Sequence, residues 1–243
     1  MEAFLSKGTI VAGVSYDIPG MGYENPQTGE IRGFEADLAC AIAEKVLGTR
    51  DGLIFQQVTD AQRIPALQDQ RVDIVLSQLT ITADRLELVD FSIPYCVTRE
   101  AILVTRESRI RAFDDLAHAR IAVTAGSVSI RRMRAAFPDA IFVVTPLSAG
   151  NLEAVARGEA DVASNDLINL QMLRAHSDQP DRYEIIDIGD RFEEKPFGVA
   201  IRKGNRTLLD LVNRAVQDLI ENGDRDRILN AYLQRAGSTI GNP

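Results

Sequence analysis

Three short stretches carry side chains whose types and placement suit the recognition of a small charged molecule. Thr80-Ile81-Thr82-Ala83-Asp84-Arg85 follows an apolar run and reads as a strand end turning into a short helix that presents an arginine. Thr124-Ala125-Gly126-Ser127-Val128-Ser129 lies after a strand candidate and before a helix over 130–137, so its free N–H groups form an anion site. Asp166 falls just past a third apolar run. An arginine offers a planar fork for a carboxylate, and a hydroxyl with neighbouring N–H groups completes the donors. Arg85, Thr80 and Ser127 around a carboxylate, with Asp166 as acceptor for a nearby cation, describe a clamp for the zwitterion of an α-amino acid. The same residues also fit plainer roles: Arg85 pairing with Asp84 or Glu87 on a solvated helix, and Ser127 and Asp166 as helix N-caps.

The elements that must position these groups alternate short apolar runs with amphipathic helices, the pattern of an α/β fold. Strand candidates are 9–14, 53–58, 72–76, 100–105, 119–123, 141–145, 161–164, 184–188 and 197–202. Phe34, Leu38, Ile42 and Val46 mark a helix over 34–47, with Gly33 before it and Gly48 after it. Asp60 is placed to cap a helix through 68, and Ser148 or Asn151 to start one through 157. Leu208, Leu211, Ala215 and Leu219 predict a long helix stopped by Asn222-Gly223, and a last helix runs to about 235.

Residues 58–78 and 144–166 share one plan: Val-Thr, helix, polar turn, aspartate, short apolar strand. In each copy the fifth residue after the aspartate, Gln78 after Asp73 and Asp166 after Asp161, lands by the carboxyl end of a strand, the edge at which parallel α/β sheets bind ligands. The expected organisation is two lobes facing across a cleft, with 1–97 and 197–243 in lobe 1 and 98–196 inserted as lobe 2. The chain is expected to cross near 97–105 and 189–198, two segments that make a natural hinge.

With 27 Lys and Arg against 35 Asp and Glu, the net charge of −8 argues against a nucleic-acid partner. No apolar run reaches the roughly 18 residues of a membrane span. Cys40 and Cys96 read as free thiols rather than a disulfide, and His118 and His176 have no ligand-spaced partners, so neither a metal nor a cofactor is expected. The first residues lack the pattern of an export signal.

"GFEADLACAIAEKV", "RIPALQDQRVDIVLSQLTITADRLELVDFSIPY" and "FGVAIRKGN…LLDLVNRAVQDLIENG" resemble the family 3 extracellular solute-binding proteins, the amino-acid receptors of ABC importers, over about residues 5–235. The resemblance implies a type II periplasmic-binding-protein fold of two mixed sheets flanked by helices. It implies that Arg85 binds the ligand's α-carboxylate, that Thr80 contacts the ligand through its hydroxyl and N–H, and that Ser127 Oγ and the Val128 N–H are further donors. Asp166 would hold the α-ammonium with help from the Gln78 carbonyl.

"SYDIPGMGYENPQTGEIRGFE" is similar to the glutamate- and aspartate-binding branch, where Arg63 matches an arginine that contacts the side-chain carboxylate. A helix-surface role beside Asp60 is the plainer reading of Arg63. Two departures bear on the side chain. Ser15 stands where that branch often carries a positive charge, which leaves an amide ligand open, and the covering aromatic is displaced to Tyr16, with Tyr23 also near. Arg99 stands where a small residue is common and is a candidate for the charge that Ser15 lacks.

The expectation is a non-enzymatic, monomeric, extracytoplasmic receptor that closes on a polar, acidic amino acid and delivers it to a membrane permease. The alternatives are the same clamp as the sensor module of a signalling protein, and a cyclohexadienyl-dehydratase-like activity, which would need a general acid where Asp166 stands.

Overall fold

The computed structural model describes residues 8–235 and divides into two units, 8–97 with Pro196–Arg235, and Thr98–Lys195. The first unit contains β1 (Ile10–Val14), β2 (Asp17–Ile18), β3 (Gly22–Glu24), β4 (Ile31–Arg32), α1 (Phe34–Leu47), β5 (Leu53–Gln57), α2 (Arg63–Gln68), β6 (Ile74–Leu76) and α3 (Ala83–Leu86). It is completed by most of β7 (Val89–Thr98) and β13 (Lys195–Arg202), then α7 (Arg206–Glu221) and α8 (Asp224–Arg235). Its main sheet has the order β5-β1-β6-β13-β7; β1 runs parallel to β5 and β6, and β13 antiparallel to β6.

The second unit holds β8 (Glu100–Thr105), β9 (Arg120–Thr124), α4 (Val128–Ala136), β10 (Ile141–Thr145), α5 (Ser148–Ala156), β11 (Val162–Asp166), α6 (Leu167–Ala175) and β12 (Tyr183–Asp187). Its sheet order is β10-β9-β11-β8-β12, with β9 parallel to β10 and β11, and β8 antiparallel to β11 and β12. Alternation along the strands sends Ile102, Val104, Ile121 and Val123 to one face and Ala101, Leu103 and Ala122 to the other. Met133 of α4 packs on the first face, and Ala154 and Val155 of α5 with Leu170 of α6 on the second.

The internal echo is structural. Asp73 donates its N–H to the Val11 carbonyl and accepts the Val11 N–H on Oδ2, both at 2.8 Å. Asp161 makes the same reciprocal pair with Arg120, also at 2.8 Å each. Each aspartate thereby registers the start of the second strand of an edge-to-centre β-α-β unit, β6 of β5-α2-β6 in one copy and β11 of β10-α5-β11 in the other.

Gly33 shows why its position takes no side chain. It sits at φ 140° before α1, where a Cβ would lie 2.3 Å from the Met21 carbonyl oxygen. Gly48 ends α1 in the left-handed conformation.

Several expectations need correcting. Asp60 does not cap α2, which begins at Arg63 after Gln62, because a turn over 59–62 intervenes and turns the Asp60 carboxylate to the Arg63 guanidinium at 3.2 Å. The α5 helix starts at Ser148, one of the two expected starting residues, after Leu147 and with no side-chain cap. Two features were not anticipated: the strand β7 over ten residues, and a three-stranded sheet β2-β3-β4. The units divide at 97/98 and 195/196, and residues 100–105 form the expected strand β8. Cys40 and Cys96 do not form a disulfide. Among the described residues no helix is long and apolar enough to cross a membrane.

Candidate functional site

In the first unit the expected residues gather at the carboxyl ends of β1 and β6. Arg85 lies in the single turn of α3 and donates from Nη1 to the Thr80 carbonyl at 2.8 Å. It is 6% exposed, which overturns the reading of a solvated helix-surface arginine. Thr80 is itself buried and bridges to Phe197, and the Ile81 N–H reaches the Pro196 carbonyl at 2.8 Å, so the TITADR turn is fastened to β13 at two adjacent points.

Gln78 adopts φ 45°, one of two non-glycine residues with positive φ among those described. Its N–H donates to Glu35 Oε1 at 2.7 Å and its side-chain amide donates to Glu35 Oε2 and, at 3.0 Å, to Ser15 Oγ. Tyr95 donates its hydroxyl to the same Glu35 carboxylate. Glu35 is fully buried; loss of water pushes its carboxyl up to about 7, against the pull of the Tyr95 and Gln78 donors.

Arg63 is 1% exposed, so the helix-surface reading fails although its pairing with Asp60 is present. Its Nη1 donates to the Ser77 and Gln78 carbonyls at 2.6 and 3.1 Å and its Nε to the Asp60 carbonyl at 3.0 Å. Arg63 thus ties α2 to the end of β6. Ser15, also buried, is occupied with Gln78. Tyr16 is half-buried and tied to β3 through its carbonyl, which accepts the Glu24 N–H at 3.0 Å; burial, then Asp17 and Glu24, raise its hydroxyl pKa.

In the second unit Ser127 is the N-cap of α4, its Oγ accepting the Ile130 N–H at 3.3 Å and donating to the Thr124 carbonyl at 2.8 Å. Val128 opens the helix, where the first N–H groups have no partner one turn back. Asp166 is the last residue of β11 and stands at the N-cap of α6, but its side chain makes no cap bond. Instead Oδ1 lies 3.1 Å from Lys195 Nζ and Oδ2 accepts from Asn169 at 3.3 Å. A buried polar net holds this edge: Asn165 donates to Ser148 Oγ at 3.0 Å, and Asn151 and Ser148 meet Thr124 Oγ1 at 2.9 and 3.1 Å.

Lys195 and Glu100 were missed from the sequence. Lys195 Nζ lies 2.6 Å from Glu100 Oε2 and donates to Ser129 Oγ at 2.8 Å. A glutamate at the head of the apolar run Glu100–Thr105 was a usable signal; Lys195, between Glu194 and Pro196 outside any periodic segment, offered none. Arg99 pairs with Asp187 at 2.7 Å on the surface of its unit. Among the described residues no group of three His, Cys, Asp or Glu side chains could hold a metal ion.

Two units, each a five-stranded mixed sheet with its polar residues at the carboxyl ends of parallel strands, define a type II periplasmic-binding-protein fold. The chain belongs to the bacterial extracellular solute-binding proteins, family 3, whose family model matches residues 10–235. It is 29% identical to the ABC transporter glutamine-binding protein of Bacillus subtilis, over 96% of this chain and 84% of that one. It is 30% identical to the glutamine-binding protein of Geobacillus stearothermophilus, over 84% and 76%. Among solved structures it is similar to the ancestral amino-acid-binding protein AncCDT-1, described as a precursor of cyclohexadienyl dehydratase, at 30% identity and TM-score 0.84, covering 94% of this chain and 97% of that one.

Proposed function

We propose that the protein is the receptor of an ABC importer and binds an L-amino acid with a polar side chain, glutamine before glutamate. Arg85 with Thr80 on the first unit, and Ser127 with the Val128 N–H on the second, take the α-carboxylate; Asp166, with help from the Gln78 carbonyl, takes the α-ammonium. The observation that carries the reading is the recurrence of one plan in both sheets. In one copy Gln78 follows the end of the parallel strand, with the buried Arg85 guanidinium beyond it in α3, and the other copy ends its strand in the buried Asp166 carboxylate.

The side-chain preference rests on Arg63. An acidic ligand called for a guanidinium open to its second carboxylate, and here that guanidinium is held by Asp60 and by the Ser77 and Gln78 carbonyls. Ser15 is neutral, and a neutral amide asks for no counter-charge. The glutamine-binding relatives support the same choice. Family membership supports an extracytoplasmic location and a membrane permease as partner.

Calorimetric titration tests this. The protein should bind L-glutamine more tightly than L-glutamate, and Arg85→Ala should weaken binding by at least about a hundredfold, since truncation leaves a desolvated carboxylate without its partner. Unchanged affinity in Arg85→Ala would remove the assignment.

A further inference from the structure

Asp166 does not wait for a ligand with its charge uncompensated. Glu100 and Asp166 are cross-strand partners in the antiparallel pairing of β8 with β11, so two carboxylates face each other in register. Like charges so placed repel. Lys195 lies between them, 2.6 Å from Glu100 and 3.1 Å from Asp166, and donates to Ser129 Oγ. The Lys195 side chain is 1% exposed and Glu100 is fully buried, so little solvent screens the group. Arg132, 4.0 Å from Glu100, brings the set to two cations and two anions before any ligand arrives. Toward Asp166, the Lys195 ammonium does the electrostatic work assigned above to the ligand's ammonium. It does so incompletely, because Asp166 Oδ1 is buried with no hydrogen bond of good geometry and retains room for one donor.

We infer that Lys195, held by Glu100, determines how strictly the site demands an α-ammonium, and that it makes the site tolerant of carboxylates lacking one, such as the desamino analogue of an amino-acid ligand. In a clamp whose aspartate is neutralised only by the ligand, removing the ammonium strands a buried anion and forfeits binding. Here the same removal leaves Asp166 paired with Lys195 and costs only the hydrogen bond. The inference rests on the zwitterion reading of the site and specifies its ligand class: carboxylates with a polar tail, with or without the amino group.

The test is a pair of calorimetric titrations, with L-glutamine and with 4-carbamoylbutanoate, its desamino analogue, on the wild-type protein and on Lys195→Met. The wild type should bind the two within about tenfold, and Lys195→Met should widen the gap to at least about a hundredfold as Asp166 comes to depend on the ligand for its cation. Because Lys195→Met leaves buried Glu100 with only Arg132, at 4.0 Å, as a cation, the double variant Lys195→Met with Glu100→Leu provides a second background in which the same widening is expected. A wild-type gap already beyond a hundredfold, or a gap unchanged in both variants, overturns the role of Lys195 while leaving amino-acid binding intact. If the wild type binds neither compound and no other α-amino acid, the zwitterion reading itself fails and this inference falls with it.

Discussion

Gln78 holds a left-handed backbone that a non-glycine residue enters at a cost of about 1–2 kcal/mol. The surrounding groups show what offsets it. Glu35 accepts both its N–H and its side-chain amide, while Arg63 holds its carbonyl. The position is fixed by a carboxylate that titrates near neutrality. The folded-state value of about 7 lies above the ordinary 4.5, so the folded protein keeps a proton that the unfolded chain releases. The resulting stabilisation is complete below about pH 4.5 and is lost as pH rises through 7. Wild-type stability should therefore fall by about 2 kcal/mol, relative to Glu35→Gln, between about pH 5.5 and 8.5. Urea denaturation of both proteins across that range measures it, and parallel pH profiles would show that Glu35 stays ionised throughout. Glu35 was legible in principle: 35, 38, 39 and 42 share one helical face, and the face that buries Leu38 and Ile42 must bury it too. Lys195 was not, because a lone lysine between a glutamate and a proline carries no periodicity and its partners are distant in sequence.

At the level of elements, Asp73 and Asp161 do the same work in two sheets, each closing a reciprocal pair of hydrogen bonds with the neighbouring strand, one through its N–H and one through its carboxylate. Asp161 also takes a two-pronged contact from the Arg120 guanidinium, at 2.6 and 3.2 Å, which lowers its pKa. Asp73→Ala leaves the Val11 N–H without its side-chain acceptor and should cost about 1–2 kcal/mol, read as a lower urea midpoint at unchanged slope. An unchanged midpoint would mean that water replaces the carboxylate without loss. These elements were readable because the echo preserves aspartate, apolar strand and terminal polar residue at constant spacing. By contrast β7 was missed because Pro94 and Ser92 interrupt its apolar run, and proline argues against a central strand. The sheet order places β7 at an edge, where a missing N–H is tolerated. The small β2-β3-β4 sheet, of two- and three-residue strands, is too short for any alternation to register.

At the scale of the whole molecule, the two units differ in how the chain builds them. The first is assembled from two separated stretches, whereas Thr98–Lys195 is continuous. That continuous unit owns both its cores: every buried residue of the two clusters on the faces of its sheet lies between Ala101 and Ile188. Its ends are also joined internally, since Glu100 near the start and Lys195 at the end form the buried ion pair. A domain of about 100 residues with a filled core on each face is large enough to fold independently. Residues 98–195, carried with short neutral flanks, should therefore unfold in one cooperative urea transition with a slope of at least about 1 kcal/mol/M. The same fragment bearing Lys195→Met should shift to a lower midpoint, because Glu100 and Asp166 then face each other in register without their shared cation. A broad, featureless transition in the parent fragment would show that this unit needs the rest of the chain to fold. An unshifted midpoint in the variant would show that the ion pair joining its two ends adds nothing to its stability.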